Sequence, residues 1–179
     1  VKRRAVAGYG ARIIEGEPTL QARTHTASAV VAETGGTLLH PYNQREVIAG
    51  QGTIGLELMR QQPRLDAVVV PVGGGGLIAG IALALREVAP HVVVYGAEPT
   101  GADDAARSKR AGKLIPQTGP DTIADGLLTS LGDLTWPVVR DLVKEIIVVD
   151  DEATVRAMQL VFERMKLVIE PSAAVALAA

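Results

Sequence analysis

No cysteine occurs anywhere in the sequence, which excludes disulfide bridges and thiolate metal sites and fits a cytoplasmic protein. Excess charge of either sign is also missing. Eighteen basic against 20 acidic side chains leave a net charge of −2 and a pI near 5.9. That balance favours neither nucleic acid nor an anionic membrane as a partner. Repeats and low-complexity tracts are absent, and His25, His40 and His91 are scattered without metal-ligand spacing. What is present is a folding composition: 47% hydrophobic and 21% charged in 179 residues. A chain of this length forms about one domain and buries roughly 70% of its unfolded surface.

The sequence starts at Val1 and stops inside the apolar run Ala173 to Ala179 without a helix stop signal, so both ends are expected to lie within a longer chain. Gly8, Tyr9, Gly10 and Arg12 interrupt any apolar segment behind Lys2-Arg3-Arg4, which argues against a signal peptide. The uncharged stretch Ala67 to Leu85 is long enough to span a bilayer, yet Pro71 and Gly73 to Gly76 sit in its middle. These residues would break a lone helix in lipid, where every backbone group needs an internal partner. A buried strand, a glycine turn and a buried helix account for the same apolarity.

Periodicity alternates between strand and helix. Ala11 to Ile14 and Thr37 to His40 read as short strands, with a helix over Thr19 to Glu33 between them. Pro41 and Asn43 mark a turn, and a helix over Ile54 to Gln62 stops at Pro63. Leu65 to Val70 is a β-branched run suited to a parallel strand buried on both faces. Leu77 to Val88 reads as the following helix and Val92 to Gly96 as the next strand, which makes a right-handed βαβ unit. Ile146 to Val149 reads as a further strand. Asp151 to Lys166 reads as a helix capped by Asp150 or Asp151. The pattern specifies an α/β fold: a doubly wound, mostly parallel sheet flanked by helices. Residues 1–43 are assigned to a smaller lobe and 44–179 to a larger one.

The strongest chemical signal is Gly73-Gly74-Gly75-Gly76 between a strand and a helix start. Glycines let backbone amides approach an anion without a Cβ in the way, and the free amides and dipole of the helix N-terminus face the same point. A phosphate is the expected guest. A tight turn with no ligand is the plain alternative. Gly74-Gly75-Gly76-Leu77-Ile78-Ala79 also fits the dinucleotide pattern G-x-G-x-x-A, with Glu98 near the position of a ribose-binding acid. That leaves a nicotinamide-dependent oxidoreductase as a rival. A P-loop is excluded, because no Gly-Lys-Ser/Thr follows.

The segment Val70 to Gly80 resembles the phosphate loop of fold-type-II pyridoxal-phosphate enzymes. Four further segments resemble the serine/threonine dehydratase and serine racemase branch in order and spacing: Val47 to Thr53, Ala97-Glu98-Pro99, Thr122 to Gly126, and Ile169 to Ala173. The resemblance implies a two-lobed enzyme. Gly73 to Gly76 and Leu77 would hold the phosphate of pyridoxal 5'-phosphate through backbone amides, with Gly126 and Glu170 near the ring. Without a ligand, Glu170 reads as a first-turn helix acid ahead of Pro171.

The resemblance also makes Glu98, Ala102 and Asp104 a site for magnesium or calcium, both of which prefer hard oxygen ligands. Thr100 to Asp103 equally fits a capping pattern, in which these acids only start a helix. Tyr9 and Lys166 match positions that help bind ATP at a dimer interface in serine racemases. Without that role they read as an edge aromatic and a helix-end cation. Arg23 matches an entrance residue of racemases but reads more simply as a solvated helix arginine.

The family's Schiff-base lysine lies in an upstream Ser-Phe-Lys-like segment, and the serine facing the pyridine nitrogen lies downstream of Ala179. Lys2, Lys109, Lys113, Lys144 and Lys166 stand among charges or near helix ends. Lys109 reads as part of a basic helix surface rather than a desolvated site. No catalytic residue is therefore assigned within these 179 residues. The implied activity of the parent protein is threonine/serine dehydration to a 2-oxo acid and ammonia, in a homodimer or homotetramer. Serine racemase is the alternative, and an inactive truncated product is the non-enzyme alternative. Tyr42 tips the reading toward dehydratase, because an aromatic at this position resembles threonine dehydratases.

Overall fold

The computed structural model describes residues 2–17 and 19–179, the side chains of Lys2, Leu20 and Gln21 excepted. The chain divides into two compact units, Val1–Leu39 and His40–Ala179.

The first unit holds α1 (Lys2–Gly8) and α2 (Leu20–Thr34). Thr19 starts α2 as the sequence suggests: its Oγ1 accepts the Ala22 amide at 3.1 Å. Gly35 closes the helix at φ 69°, where glycine bears no Cβ penalty. The expected strands at residues 11–14 and 37–40 do not form; both segments are irregular. A strand is stabilised by its ladder partners, and among the described residues neither segment has one. The signal was also thin, with two β-branched residues in the first segment and one in the second.

The second unit is built from α3 (Arg45–Gln61), β1 (Ala67–Pro71), α4 (Gly76–Val88), β2 (Val93–Pro99), α5 (Asp104–Ala111), α6 (Thr135–Leu142), β3 (Ile146–Val149), α7 (Asp151–Met165) and α8 (Pro171–Ala178). The strands form a parallel sheet in the order β1-β2-β3, with Val68 opposite Val94 and Gly96 opposite Ile146. Helices cover both faces. Val70, Val94 and Ile146 join Ile78, Ile81 and Leu85 of α4 and Trp136 and Val139 of α6 in one core. On the other side Ala97 and Val149 pack with Leu127 and with Val175 of α8. The expectation of burial on both faces holds only in part: Val70, Val94 and Ile146 are buried, whereas Val69, Val93 and Val148 stay 37–39% exposed.

Residues 40–43, assigned to the first lobe from sequence, sit in the second unit. His40 Nδ1 accepts the Asn43 amide at 2.9 Å. Asn43 then reaches across the unit: its Nδ2 donates to Asp133 Oδ1 at 2.6 Å and its Oδ1 accepts the Leu134 amide at 3.0 Å. The apolar stretch Ala67–Leu85 is divided among β1, the glycine loop and α4. Among the described residues no helix is long and apolar enough to cross a membrane.

α6 has no counterpart in the sequence reading, since Pro137 breaks its pattern. The proline falls in the first turn, where no intrahelical donor is lost. α7 follows its capping signal closely: Asp150 Oδ1 accepts the Ala153 amide at 2.6 Å. Asp150→Ala should therefore lower the stability of the full-length protein by about 1 kcal/mol. Denaturant melts of the two proteins measure the difference, and equal midpoints would show that the cap contributes nothing.

Candidate functional site

The loop between β1 and α4 is the centre of a cavity of about 440 Å³ lined by Tyr42, Gly73 to Leu77, Gly126, Leu127, Glu170 and Ser172, among others. The volume is in the range of small-molecule sites. The glycine loop, Gly126 and Glu170 are thus brought to one place from three separate parts of the sequence.

Gly75 has φ +83° and serves as the N-cap of α4 without any side-chain cap. The first amides of α4 therefore lack intrahelical partners and face outward at the positive end of the dipole. There is no space in this loop for side chains. A Cβ on Gly74 would collide with the Tyr42 ring, and one on Gly76 would lie 2.8 Å from Tyr42 Cβ. One on Gly73 would stand 3.0 Å from Leu127 Cα. Bare backbone therefore lines this end of the cavity. The residues present fit a phosphate.

The surrounding groups are held by polar contacts that the sequence reading did not assign. Ser172 Oγ accepts the Gly126 amide at 2.9 Å. Asp151, at the start of α7, accepts the Thr122 hydroxyl at 2.5 Å and the Ile123 amide at 3.0 Å, which anchors the segment leading to Gly126. Tyr42 stands edge-on to His40, with ring centroids 4.6 Å apart. Ser172 belongs to the family-like segment Ile169 to Ala173, and Asp151 carries only a helix-cap signal in the sequence. Glu170 is the N-cap of α8, with no side-chain cap hydrogen bond to that helix.

Glu98 and Asp104 are fully buried. Glu98 Oε1 accepts the Ala105 amide at 3.0 Å and Oε2 the Ala106 amide at 2.8 Å, so it caps the first turn of α5. Asp104 Oδ2 accepts the Leu131 amide at 3.1 Å, while its Oδ1 is buried with no hydrogen-bond partner. Ala102 is also fully buried. Burial pushes the Glu98 carboxyl up to about 8, against the pull of its two amides. Burial likewise pushes Asp104 up to about 6. Among the described residues no group of three or more His, Cys, Asp or Glu side chains converges as a metal cluster, so this pair offers two carboxylates only.

Tyr9 lies in the first unit, 89% exposed. Lys166, in the second unit, ends α7 in the left-handed region at φ 59°, and its Nζ donates to the Glu163 carbonyl at 2.7 Å. Arg23 is on the exposed surface of α2, as expected of a solvated arginine. Lys109 departs from the sequence reading. Its amine is partly buried against the C-terminal end of α6, donating to the Arg140 carbonyl at 3.0 Å, and burial lowers its pKa. It nevertheless serves a helix end, and none of the described lysine side chains lines the cavity.

The family described as "Pyridoxal-phosphate dependent enzyme" matches residues 1–179. The chain belongs to that family. It is 52% identical to a serine racemase of Oryza sativa subsp. indica over 171 residues, 96% of this chain and 50% of that protein. It is 50% identical to the beta-hydroxyaspartate dehydratase of Paracoccus denitrificans over 177 residues, 99% of this chain and 56% of that protein. Among solved structures, a threonine deaminase from T.th. superposes with a TM-score of 0.94 at 44% identity, covering 99% of this chain and 60% of that one. The chain thus spans about half the length of the curated relatives it matches. Membership in the family sets aside the dinucleotide alternative. Glu98 agrees with this, since it is turned into α5 and closed to any ribose.

The two buried acids predict a pH dependence. Both carboxyls are raised above their ordinary values, so the folded state keeps protons that the unfolded chain releases. Their contribution is complete below about pH 4 and is lost as pH rises through about 6 and 8. In chelating buffer the melting temperature should fall between pH 5 and pH 9, and Glu98→Gln should flatten that slope. A slope unchanged by Glu98→Gln would assign the pH dependence to other groups.

Proposed function

We propose that this chain forms the cofactor-phosphate side of a pyridoxal-phosphate-dependent dehydratase that acts on serine or threonine. The observation that carries the reading is the cavity in which the bare amides at the start of α4 face Gly126 and Glu170. When bound, pyridoxal phosphate supplies an electron sink that acidifies the bond from Cα to hydrogen. The residues of this chain bind and orient. Gly73 to Gly76 and Leu77 would anchor the phosphate, while Gly126, held by Ser172, and Glu170 would border the ring. Because the amides are fixed by the fold, they need no reorganisation when charge is bound. None of the described lysines lines the cavity to supply the amine that this chemistry also requires.

Racemisation of serine is the second reading, supported by the 52% identity to a serine racemase. Both reactions begin with loss of the Cα proton and differ in whether the hydroxyl then leaves. The full-length protein, incubated with L-serine and with L-threonine, should release 2-oxo acid and ammonia faster than it forms the D-amino acid. Faster formation of D-serine would replace the proposal with the second reading, and turnover of neither substrate would refute both. Gly74→Asp should weaken cofactor retention by about 3 kcal/mol, the scale of a lost charge-assisted hydrogen bond plus a repelling carboxylate. Gly74→Ala introduces the collision with Tyr42 without the charge and should weaken it less. Unchanged retention in both variants would place the phosphate elsewhere.

The reading extends to magnesium or calcium, held by Glu98, Asp104 and the Ala102 carbonyl. Its support is the buried, unpartnered Asp104 Oδ1 in a set of hard oxygens. A cation at a hundredfold excess over its Kd should stabilise the protein by roughly 2.7 kcal/mol, and Asp104→Ala should abolish that increment. If the wild type melts at one temperature in EDTA and in magnesium or calcium, the acids serve α5 alone.

A further inference from the structure

The buried Thr135, at the start of α6, bonds the glycine loop from behind. Its Oγ1 donates to the Gly74 carbonyl at 2.8 Å and accepts the Gly132 amide at 2.9 Å. A second acceptor, the Gly132 carbonyl, lies at 3.2 Å, but it already accepts the Trp136 amide at 2.9 Å. The hydroxyl has one proton to give, and the contact to Gly74 is the shorter of the two. Thr135 is fully buried and is not among the residues lining the cavity, whereas Gly74 and Gly75 are.

Peptide planarity turns this contact into a constraint on the cavity. The bond between Gly74 and Gly75 is trans, so the Gly74 carbonyl and the Gly75 N–H point in opposite directions within one rigid plane. A hydroxyl that fixes the carbonyl toward the protein interior also fixes the amide toward the cavity. Sequence neighbours could not impose this orientation, because a glycine pair rotates its peptide plane with little steric cost. The position is reinforced sterically: a Cβ on Gly75 would lie 2.9 Å from Thr135 Cβ and 2.7 Å from Leu131 Cδ2.

We propose that Thr135 is a positioning residue for the phosphate site: by holding the Gly74 carbonyl, it aims the Gly75 amide at the phosphate. The proposal rests on the reading of the glycine loop as the phosphate cradle. Thr135 touches neither cofactor nor substrate, and its effect should be confined to recognition of the phosphate group.

The test compares dissociation constants of pyridoxal phosphate and of pyridoxal, which lacks the phosphate, for the full-length protein. Thr135→Val keeps the shape but removes the donor. It should weaken pyridoxal phosphate at least tenfold while changing pyridoxal less than twofold, and Thr135→Ser should restore the wild-type preference. Equal weakening of both ligands would reduce Thr135 to a general packing role, and no weakening of either would refute the proposal. If the wild type itself does not prefer pyridoxal phosphate over pyridoxal, the cradle reading fails rather than the role of Thr135. A measurement on the wild type covers the case in which the valine variant does not fold. With glycine amides labelled by 15N, inorganic phosphate should shift the Gly75 resonance. A shift at the other loop glycines with none at Gly75 would overturn the proposal.

Discussion

The structure depends on the close approach of backbone to side chains at the turn from β1 into α4. Tyr42 closes on Gly74 and Gly76, Leu127 on Gly73, and Leu131 and Thr135 on Gly75. Those contacts come from separate stretches of chain, and each would be pushed away by a single methyl group. The loop is consequently a stretch of bare backbone with well-packed residues closed against it. Close-packed interiors do not yield to even one added methylene without strain. Four glycines cost chain entropy on folding, and no other residue type could hold this backbone so close to its neighbours.

One short segment, residues 130–135, connects this loop to the buried acids. The Leu131 amide is bound by Asp104 Oδ2, its side chain presses on Gly75, and Thr135 holds the Gly74 carbonyl. Asn43 fixes the same segment from the other side through Asp133 and Leu134, next to the Tyr42 that covers Gly74. Asp104 therefore has a structural role whether or not an ion is bound: it orders the backbone that supports the loop. A buried carboxyl with one bonded and one unpartnered oxygen is costly in isolation. Its proton affinity rises for that reason.

The elements legible in the sequence were those whose signal is local. β1, α4, β2, β3 and α7 follow from β-branched runs, the glycine punctuation and the Asp150 cap. The strands at residues 11–14 and 37–40 were misread because strand formation is decided by a partner, which a short apolar run does not reveal. α6 was missed because Pro137 looks like a breaker until its place in the first turn is known. Within the site, the glycine loop was legible because its chemistry is carried by residue type and position along the chain. Thr135, Asp151 and Ser172 were not, because each acts on a backbone group or side chain 28 to 61 residues away. A threonine that bonds a distant carbonyl has the same sequence signature as one exposed to solvent.

The same physics explains why the dinucleotide reading was plausible and where it separates from the family. Any anionic phosphate is met by the same solution, glycines and a helix N-terminus, so G-x-G-x-x-A reports an anion site and not its owner. The distinguishing residue is the acid at the end of β2. A ribose-binding carboxylate must stay open to the cavity, with its oxygens free for sugar hydroxyls. Here both oxygens of Glu98 are taken by amides of α5, and the side chain is sealed from solvent. The acid has been turned inward to a helix start seven and eight residues along the chain. The cavity is lined instead from the α8 side as well, by Glu170 and by the Gly126 that Ser172 holds. Specificity between two phosphate-bearing cofactors thus resides in which surface faces the cradle, and not in the cradle itself.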